Sequence, residues 1–343
     1  MQGIKALVFI MFIPLVLQAC ADFMLVAEDG ARINGRTLEF ALPLETKIEV
    51  YPKKFAFTSR PAAGKPFSWQ GAYGALSLSL FNPSVSMGGF NEKGLVMHML
   101  WFPDTEYPTT SPTKEHVIDF VDMGTYILTM CANVKEVQEK LEGMDFYIHP
   151  VKELNMVPPL HVIVHDTEDN SLVLEFIKGK LQFTPTPLPL LTNAPSIQWH
   201  LTNLRNYIRL QAQNSSSVTW KELKLKPTGQ GTGLLGLPGD FTPPSRFVKL
   251  AFLLANVESA KESKQAVLQA SQLINSMEIP RGVVHNSKGE IADYTQWATL
   301  FDLKNQSLFV RAYGNMQWEE YKVTKEMWEG KEVKKLGVIT GGK

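Results

Sequence analysis

The start of this chain sets the terms for everything that follows. Met1 to Lys5 carries one positive charge, and Ala6 to Leu17 is then an unbroken run of twelve uncharged, apolar residues leading to Gln18-Ala19-Cys20. At 1.5 Å per residue such a run reaches about 18 Å, too short for a bilayer core of about 30 Å. It fits the apolar centre of a secretory signal, with small Ala19 directly before the cut. Residues 1–19 are therefore expected to be a cleaved signal peptide, and residues 20–343 to form a single domain exported to the periplasm or the extracellular space. Any fold this chain adopts would then have to begin at a cysteine, Cys20.

A cysteine at a new N-terminus has two chemical explanations. Leu17-Gln18-Ala19-Cys20 is close to a bacterial lipobox, in which the thiol takes a diacylglyceryl group and the amine is acylated. Gln18 sits where that pattern prefers a small or hydroxyl residue. The alternative is an N-terminal nucleophile, whose thiolate attacks an amide while the chain's own α-amine serves as base. An α-amino group with a pKa of about 7.7–8.0 is far better matched to that task than a lysine. One residue would supply both nucleophile and base. The signal segment alone favours lipidation, and the residues after Cys20 favour the nucleophile.

Composition removes several other classes. The 343 residues carry 34 Lys and Arg against 34 Asp and Glu, so no global field exists for gripping phosphates. Nucleic acid is not an expected partner. With 44% hydrophobic and 20% charged residues the chain is ordinary globular. Cys20 and Cys131 are its two cysteines, too few for a zinc cluster or a disulfide scaffold. The seven histidines show no metal-ligand spacing. Cys131 lies in the apolar stretch Val117 to Ala132 and reads as an inert core thiol.

Downstream of Cys20, Ala21 to Val26 reads as a strand, Asp29-Gly30 as a turn and Ile33 to Phe40 as a second strand. That hairpin sets Gly35-Arg36-Thr37-Leu38-Glu39-Phe40 beside the new terminus. Further along come Gly89-Phe90-Asn91-Glu92-Lys93-Gly94-Leu95 and Leu191-Thr192-Asn193-Ala194-Pro195. Leu237-Pro238-Gly239-Asp240 then runs into Ser245-Arg246-Phe247, and Tyr294-Thr295-Gln296-Trp297 follows. These five stretches, in this order from Cys20 to about Tyr313, resemble the choloylglycine hydrolase family, which includes conjugated bile salt hydrolases and penicillin V acylases.

The resemblance implies roles by position. Cys20 matches the nucleophile, and Arg36 the arginine beside the thiol. Glu39 stands where the family has an aspartate that orients the amine, one methylene longer. Asn193 matches the asparagine whose side chain contributes to the oxyanion hole, and Arg246 the second active-site arginine. In many bile salt hydrolases an asparagine follows the Asn-Glu-Lys-Gly stretch by ten positions. Counted from Asn91 this chain has Trp101, an expected apolar wall for substrate that points away from dedicated bile salt hydrolysis.

The activity implied is that of an exported cysteine amidohydrolase acting on a linear, non-peptide C–N bond through a Cys20 thioester. Its substrate would be an N-acylated small molecule of the conjugated bile salt, penicillin V or acyl-homoserine lactone class, with no cofactor and no metal. The resemblance also implies a homo-oligomer, a tetramer. The contrasting expectation is a non-catalytic lipid-anchored protein with Cys20 diacylated, held to a membrane by that anchor.

The remaining pattern is mixed. Strands are expected at Lys47–Tyr51, His161–His165, Ser171–Ile177 and Leu181–Thr184, and as a late hairpin from Trp297–Leu303 to Leu308–Tyr313. Helices are expected at Glu115–Cys131, at Asn133–Gly143 with Asn133 as cap, at Ser245–Asn256 with Ser245 as cap, and at Ser263–Met277. His161 and His165 are expected to face solvent or a neighbour. Strands and helices without strict alternation indicate an α+β class, and the resemblance implies the four-layer αββα sandwich of N-terminal nucleophile hydrolases. Gly231-Thr232-Gly233-Leu234-Leu235-Gly236 satisfies a dinucleotide fingerprint, yet Pro238 and Gly239 follow where a helix should open, so it reads as a loop.

Overall fold

The computed structural model describes residues 19–59, 67–81, 85–109 and 117–341. The apolar run of the expected signal lies outside these residues. No helix among them is long and apolar enough to cross a membrane. Two antiparallel sheets dominate. Their strands, in chain order, are β1 (Cys20–Val26), β2 (Arg32–Phe40), β3 (Glu45–Tyr51), β4 (Ala75–Leu80), β5 (Val85–Asn91), β6 (Val96–Trp101) and β7 (Leu160–His165). They continue as β8 (Ser171–Ile177), β9 (Lys180–Pro185), β10 (Leu190–Leu191), β11 (Tyr294–Asp302), β12 (Ser307–Ala312), β13 (Asn315–Lys322) and β14 (Lys334–Thr340). The first sheet runs β10-β1-β2-β11-β12-β13, and the second runs β9-β8-β7-β6-β5-β4-β3-β14.

Helices cover the outer faces. α1 (Met123–Met130) packs on β5 and β6 of the second sheet. α2 (Val134–Leu141) follows it, and α3 (Ile197–Asn203) leads out of β10. α4 (Pro243–Asn256) and α5 (Ser263–Met277) lie on the first sheet against β1 and β2. The result is the αββα sandwich, and its central strands are buried on both sides. Every residue of β11 is buried, as are six of the seven in β1. A strand covered on both faces shows no simple apolar–polar alternation.

Alternation still sorts the side chains. Leu38 and Phe40 of β2 meet Phe90 and Leu78 of the second sheet in the gap between the sheets. Ala21, Phe23 and Leu25 of β1 turn the other way, onto Phe247 and Leu250 of α4 and Ile274 of α5. On the outer side of the second sheet, Met97 and Met99 meet Ile127 and Leu128 of α1.

The β1–β2 hairpin forms with Cys20 opposite Leu38 and Asp22 opposite Arg36. α5 has the bounds its pattern gave, and Asn133 caps α2 by accepting from the Glu136 N–H at 2.9 Å. Two expectations are corrected. The helix expected from Glu115 begins at Met123, because β-branched Val117 and Ile118 pair with Asp145–Tyr147 and Asp119 caps a short 3₁₀ turn first. Residues 115 and 116 lie outside the described residues. α4 begins at Pro243, with Thr242 at the cap position and two prolines in the first turn, where a missing N–H costs nothing. Ser245 is thus inside the helix, donating to Asp240 Oδ2 at 2.7 Å. For His161 and His165, expected to face solvent or a neighbour, solvent is ruled out: both are buried against neighbours, His161 on Glu175 and the Thr192 carbonyl and His165 on Asp22 and Ser171.

Gly35 marks the tightest approach in this layer. A Cβ there would stand 2.3 Å from the Phe23 ring. Gly35→Ala is expected to lower stability by about 1–3 kcal/mol through overpacking, read as a lower urea midpoint. An unchanged midpoint would show that Phe23 is free to move.

Candidate active site

Each expected site residue reaches one place, and the fold accounts for each. Cys20 opens β1, a central strand, and is 4% exposed. β10 pairs with β1 through Asp22 and Leu191, so Asn193, two residues past β10, stands against Cys20. Asn193 Oδ1 accepts from the Cys20 nitrogen at 2.6 Å and from Arg246 Nη2 at 2.8 Å. Its Nδ2 donates to the Trp101 carbonyl at 2.8 Å. The Asn193 loop is held in turn by two buried histidines. His161 Nε2 lies 3.0 Å from the Thr192 carbonyl oxygen, and His200 Nε2 lies 2.9 Å from that of Asn193.

Arg36 and Glu39 are three apart on β2 and therefore face opposite ways. Arg36 enters the gap between the sheets, where its guanidinium donates to the Met87 carbonyl and, at 2.7 Å, to the Met99 carbonyl. It lies 5.5 Å from the Trp297 ring centre, and its charge pulls the Cys20 thiol down against the effect of burial. Glu39 faces the helix layer, accepting from Thr295 Oγ1 at 2.6 Å and Thr37 Oγ1 at 3.0 Å. Arg246, in the first turns of α4, brings Nη1 to 3.9 Å from Glu39 Oε2 and donates from Nε to the Phe241 carbonyl. The Cys20 nitrogen is thus held by Asn193 and not by the Glu39 carboxylate, which accepts from Thr295 and Thr37 instead.

Burial controls the protonation of this cluster. It pushes the Cys20 thiol above its ordinary value, Arg36 and Arg246 pull it back down, and Glu39 opposes them. The resting sulfur therefore keeps its proton. Burial likewise raises Glu39 from 4.5 to about 7, against the pull of Arg246 and the two threonine hydroxyls. Asp293, next to β11, is pushed by burial and by Glu39 to about 8. Its Oδ1 and Arg246 Nη1 are buried without a hydrogen-bond partner among the described residues.

Beside the sulfur lies an apolar cleft. Leu38 and Phe40 line it from the first sheet, Met99, Trp101 and Leu160 from the second, and Val121 from the turn before α1. Cys20 and Arg36 supply its polar atoms, and Leu44, in the loop between β2 and β3, also lines it. Trp101 is both a cleft wall and, through its carbonyl, an anchor for Asn193. Among the described residues no group of His, Cys, Asp and Glu is arranged to hold a metal ion. Thr37, Thr295 and Asp293 escaped the sequence reading, as did a polar layer of Asp22, Asn34, His98 and His165. Their signal was a polar residue in the middle of an otherwise apolar strand.

Two facing sheets, a helical layer outside each, and a buried cysteine opening a central strand define the N-terminal nucleophile hydrolase fold. Within it, residues 20–335 match the family described as linear amide C–N hydrolases, choloylglycine hydrolase family, and the chain belongs to that family. A bile salt hydrolase/transferase of Clostridium perfringens is 28% identical over 324 residues, covering 92% of this chain and 95% of the relative. A penicillin V acylase of Pectobacterium atrosepticum is 26% identical over 84% of this chain and 77% of its own length. The crystal structure of a variant of the conjugated bile acid hydrolase from Clostridium perfringens superposes with a TM-score of 0.83. It is 27% identical and covers 93% of this chain and 96% of that one. The chain is an amide C–N hydrolase.

The raised carboxyls make stability depend on pH. A group whose folded pKa lies above its unfolded value stabilises the fold below the unfolded pKa, and that contribution is lost as pH rises through the folded one. For Glu39 the window runs from 4.5 to about 7. In protein retaining the residues before Cys20, Glu39→Gln should gain on the wild type by on the order of 1–3 kcal/mol between about pH 5 and about pH 8. Thermal melts at both values measure this. A pH-independent difference would contradict the burial of a titrating Glu39.

Proposed function

We propose that this chain is an exported cysteine amidohydrolase that cleaves N-acylated small molecules through a thioester on Cys20, after removal of residues 1–19. The observation that carries this reading is the placement of Cys20. Its nitrogen is gripped by Asn193 at 2.6 Å, while its sulfur meets Arg36 at the polar end of an apolar cleft. The family match begins at Cys20, and twelve apolar residues stand just upstream.

The steps balance on one residue. The free α-amine of Cys20 takes the thiol proton, and the sulfur adds to the amide carbonyl carbon. The oxyanion is stabilised by N–H donors of the Asn193 neighbourhood and by the field of Arg36 and Arg246, each donor contributing about 3 kcal/mol. The α-ammonium gives its proton to the leaving nitrogen, the C–N bond breaks, and the thioester remains. Water then loses a proton to the same amine and attacks the thioester carbon. The C–S bond breaks, and the acid leaves as the thiol is restored. No cofactor or metal enters these steps. Because burial keeps the resting thiol protonated, the amine has a proton to remove.

The cleft bears on substrate class. Among the described residues its lining offers no buried polar side chain beyond Cys20 and Arg36 to pair with hydroxyls deep in the site. An unpaired buried hydroxyl costs about 1–3 kcal/mol. A hydrocarbon or phenoxyacetyl acyl group fits better than a hydroxylated steroid, so penicillin V and long-chain acyl-homoserine lactones rank ahead of conjugated bile salts.

Self-association has its own support. Ile208, Trp220, Leu223 and Leu235 are all more than 60% exposed, clustered in sequence around the short hairpin Val218–Trp220 and Leu223–Leu225. We propose that this arm joins copies of the chain into the homo-oligomer. Trp220→Glu is then expected to reduce the solution mass towards that of one chain with activity per site retained, as measured by light scattering. An unchanged mass would place the interface elsewhere.

The activity test compares four purified forms on penicillin V, acyl-homoserine lactones and glycine- and taurine-conjugated bile salts. Trimmed protein and trimmed Cys131→Ser should release amine. The form retaining residues 1–19, and trimmed Cys20→Ser, should be at least about a thousandfold slower, since an amide nitrogen has no usable basicity and a hydroxyl is far harder to ionise. Full activity in the untrimmed form would overturn the mechanism.

A further inference from the structure

We infer that His98 is a positioning residue for the Cys20 chemistry, holding the Arg36 guanidinium against the thiol while buried Asn34, Asp22 and His165 hold His98 itself. The inference rests on the reading of Cys20 given above and names a residue that does not touch the sulfur.

His98 lies on β6, fully buried, and faces β1 and β2 across the gap between the sheets. Its Nδ1 is 2.8 Å from Arg36 Nη1. A guanidinium only donates, so Nδ1 must accept, and the ring proton resides on Nε2. That proton is donated to Asn34 Oδ1 at 2.8 Å. Asn34 Nδ2 then donates to Asp22 Oδ2 and to the Phe23 carbonyl, each at 2.9 Å. Asp22 Oδ1 accepts from His165 Nε2 at 2.7 Å, and His165 Nδ1 lies 2.7 Å from Ser171 Oγ. Each atom from Arg36 to Asp22 therefore has one consistent role, ending at a buried carboxylate. The charged or titratable groups facing His98 are Arg36 from β2, Asp22 from β1 at 3.6 Å and His165 from β7. Burial, Arg36 and His165 hold its imidazole well below the ordinary histidine range, so it remains a neutral acceptor.

Packing fixes the ring as firmly as the hydrogen bonds do. Phe301 stacks on it with centroids 5.2 Å apart and planes at 17°. On the other side a Cβ at Gly88 would stand 2.0 Å from His98 Nδ1 and 2.7 Å from Arg36 Nη1. Only glycine leaves room for both groups. The relay also explains how Arg36 keeps a field to offer. A carboxylate paired directly with the guanidinium would neutralise it. Asp22 instead balances the buried charge from behind a neutral histidine and amide, leaving the near side of Arg36 to the sulfur.

The test uses trimmed protein in a Cys131→Ser background, so that Cys20 is the single thiol. Alkylation of Cys20 by iodoacetamide across pH reads the thiol without needing turnover. His98→Leu removes the acceptor. His98→Asn places an oxygen near Nδ1, and His98→Gln places one near Nε2 instead. The expected result is an apparent thiol pKa raised by about one unit in the Leu and Gln variants. In both, kcat should fall roughly tenfold with KM within about twofold, and His98→Asn should recover most of each change. Should His98→Leu not fold, the Asn and Gln pair carries the comparison alone. An alkylation profile identical to that of the unsubstituted protein in the Gln variant, with only the melting temperature lowered, would overturn the inference and leave His98 a packing residue. If the unsubstituted trimmed protein alkylates but turns over none of the amides, the proposed function fails while the alkylation comparison still decides the role of His98.

Discussion

A guanidinium buried between two β-sheets is the constraint on which the rest of this structure depends. Arg36 is fully buried, and desolvating its charge would cost several kcal/mol if nothing compensated it. The compensation comes from both sheets, although Arg36 Nε has no hydrogen-bond partner among the described residues. Backbone carbonyls of Met87 and Met99 reach it from the second sheet, His98 accepts from it, and the Trp297 ring faces it. These contacts tie the first sheet to the second at the level of Cys20. The same burial that makes the charge expensive makes its field strong, because little water remains to screen it. Sheet packing and thiol chemistry are here one arrangement.

The site divides into two media. On one side of Cys20 lies a cleft of aliphatic and aromatic side chains suited to an acyl group. On the other lie Asn193, Arg246, Glu39, Asp293 and two threonine hydroxyls, a crowded polar layer. Alternation along β2 produces this division, since Arg36 and Glu39 point to opposite faces. With two carboxyls held above their usual range, that layer carries less negative charge than its composition suggests. The arginines then keep their influence on the sulfur.

Much of this was legible from residue order. The β1–β2 hairpin, the cap at Asn133 and the bounds of α5 follow from turn chemistry and apolar periodicity, whereas the convergence of Cys20, Arg36, Glu39, Asn193, Arg246 and Trp101 was implied by the family resemblance alone. Strands β4, β5 and β6 were not legible, because chains buried on both faces lose the period-two signal. The start of α4 was misplaced because Ser245 looks like a cap, whereas Pro243 and Pro244 open the helix. His161 and His165 looked peripheral because nothing in sequence places Glu175, Thr192 or Asp22 beside them. Pairings between residues as far as 256 apart carry the polar layer, and local propensity does not encode them.

The central claim is that hydrolysis passes through an acyl group on Cys20, and product partitioning tests it most directly. Two substrates sharing one acyl group but differing in the leaving amine would be turned over with hydroxylamine present. A common Cys20 thioester predicts the same ratio of hydroxamate to free acid from both, whatever their individual rates, because both reach the same intermediate before the nucleophile enters. Ratios that differ with the leaving amine would mean that water attacks the amide itself, and the covalent account of this site would be wrong.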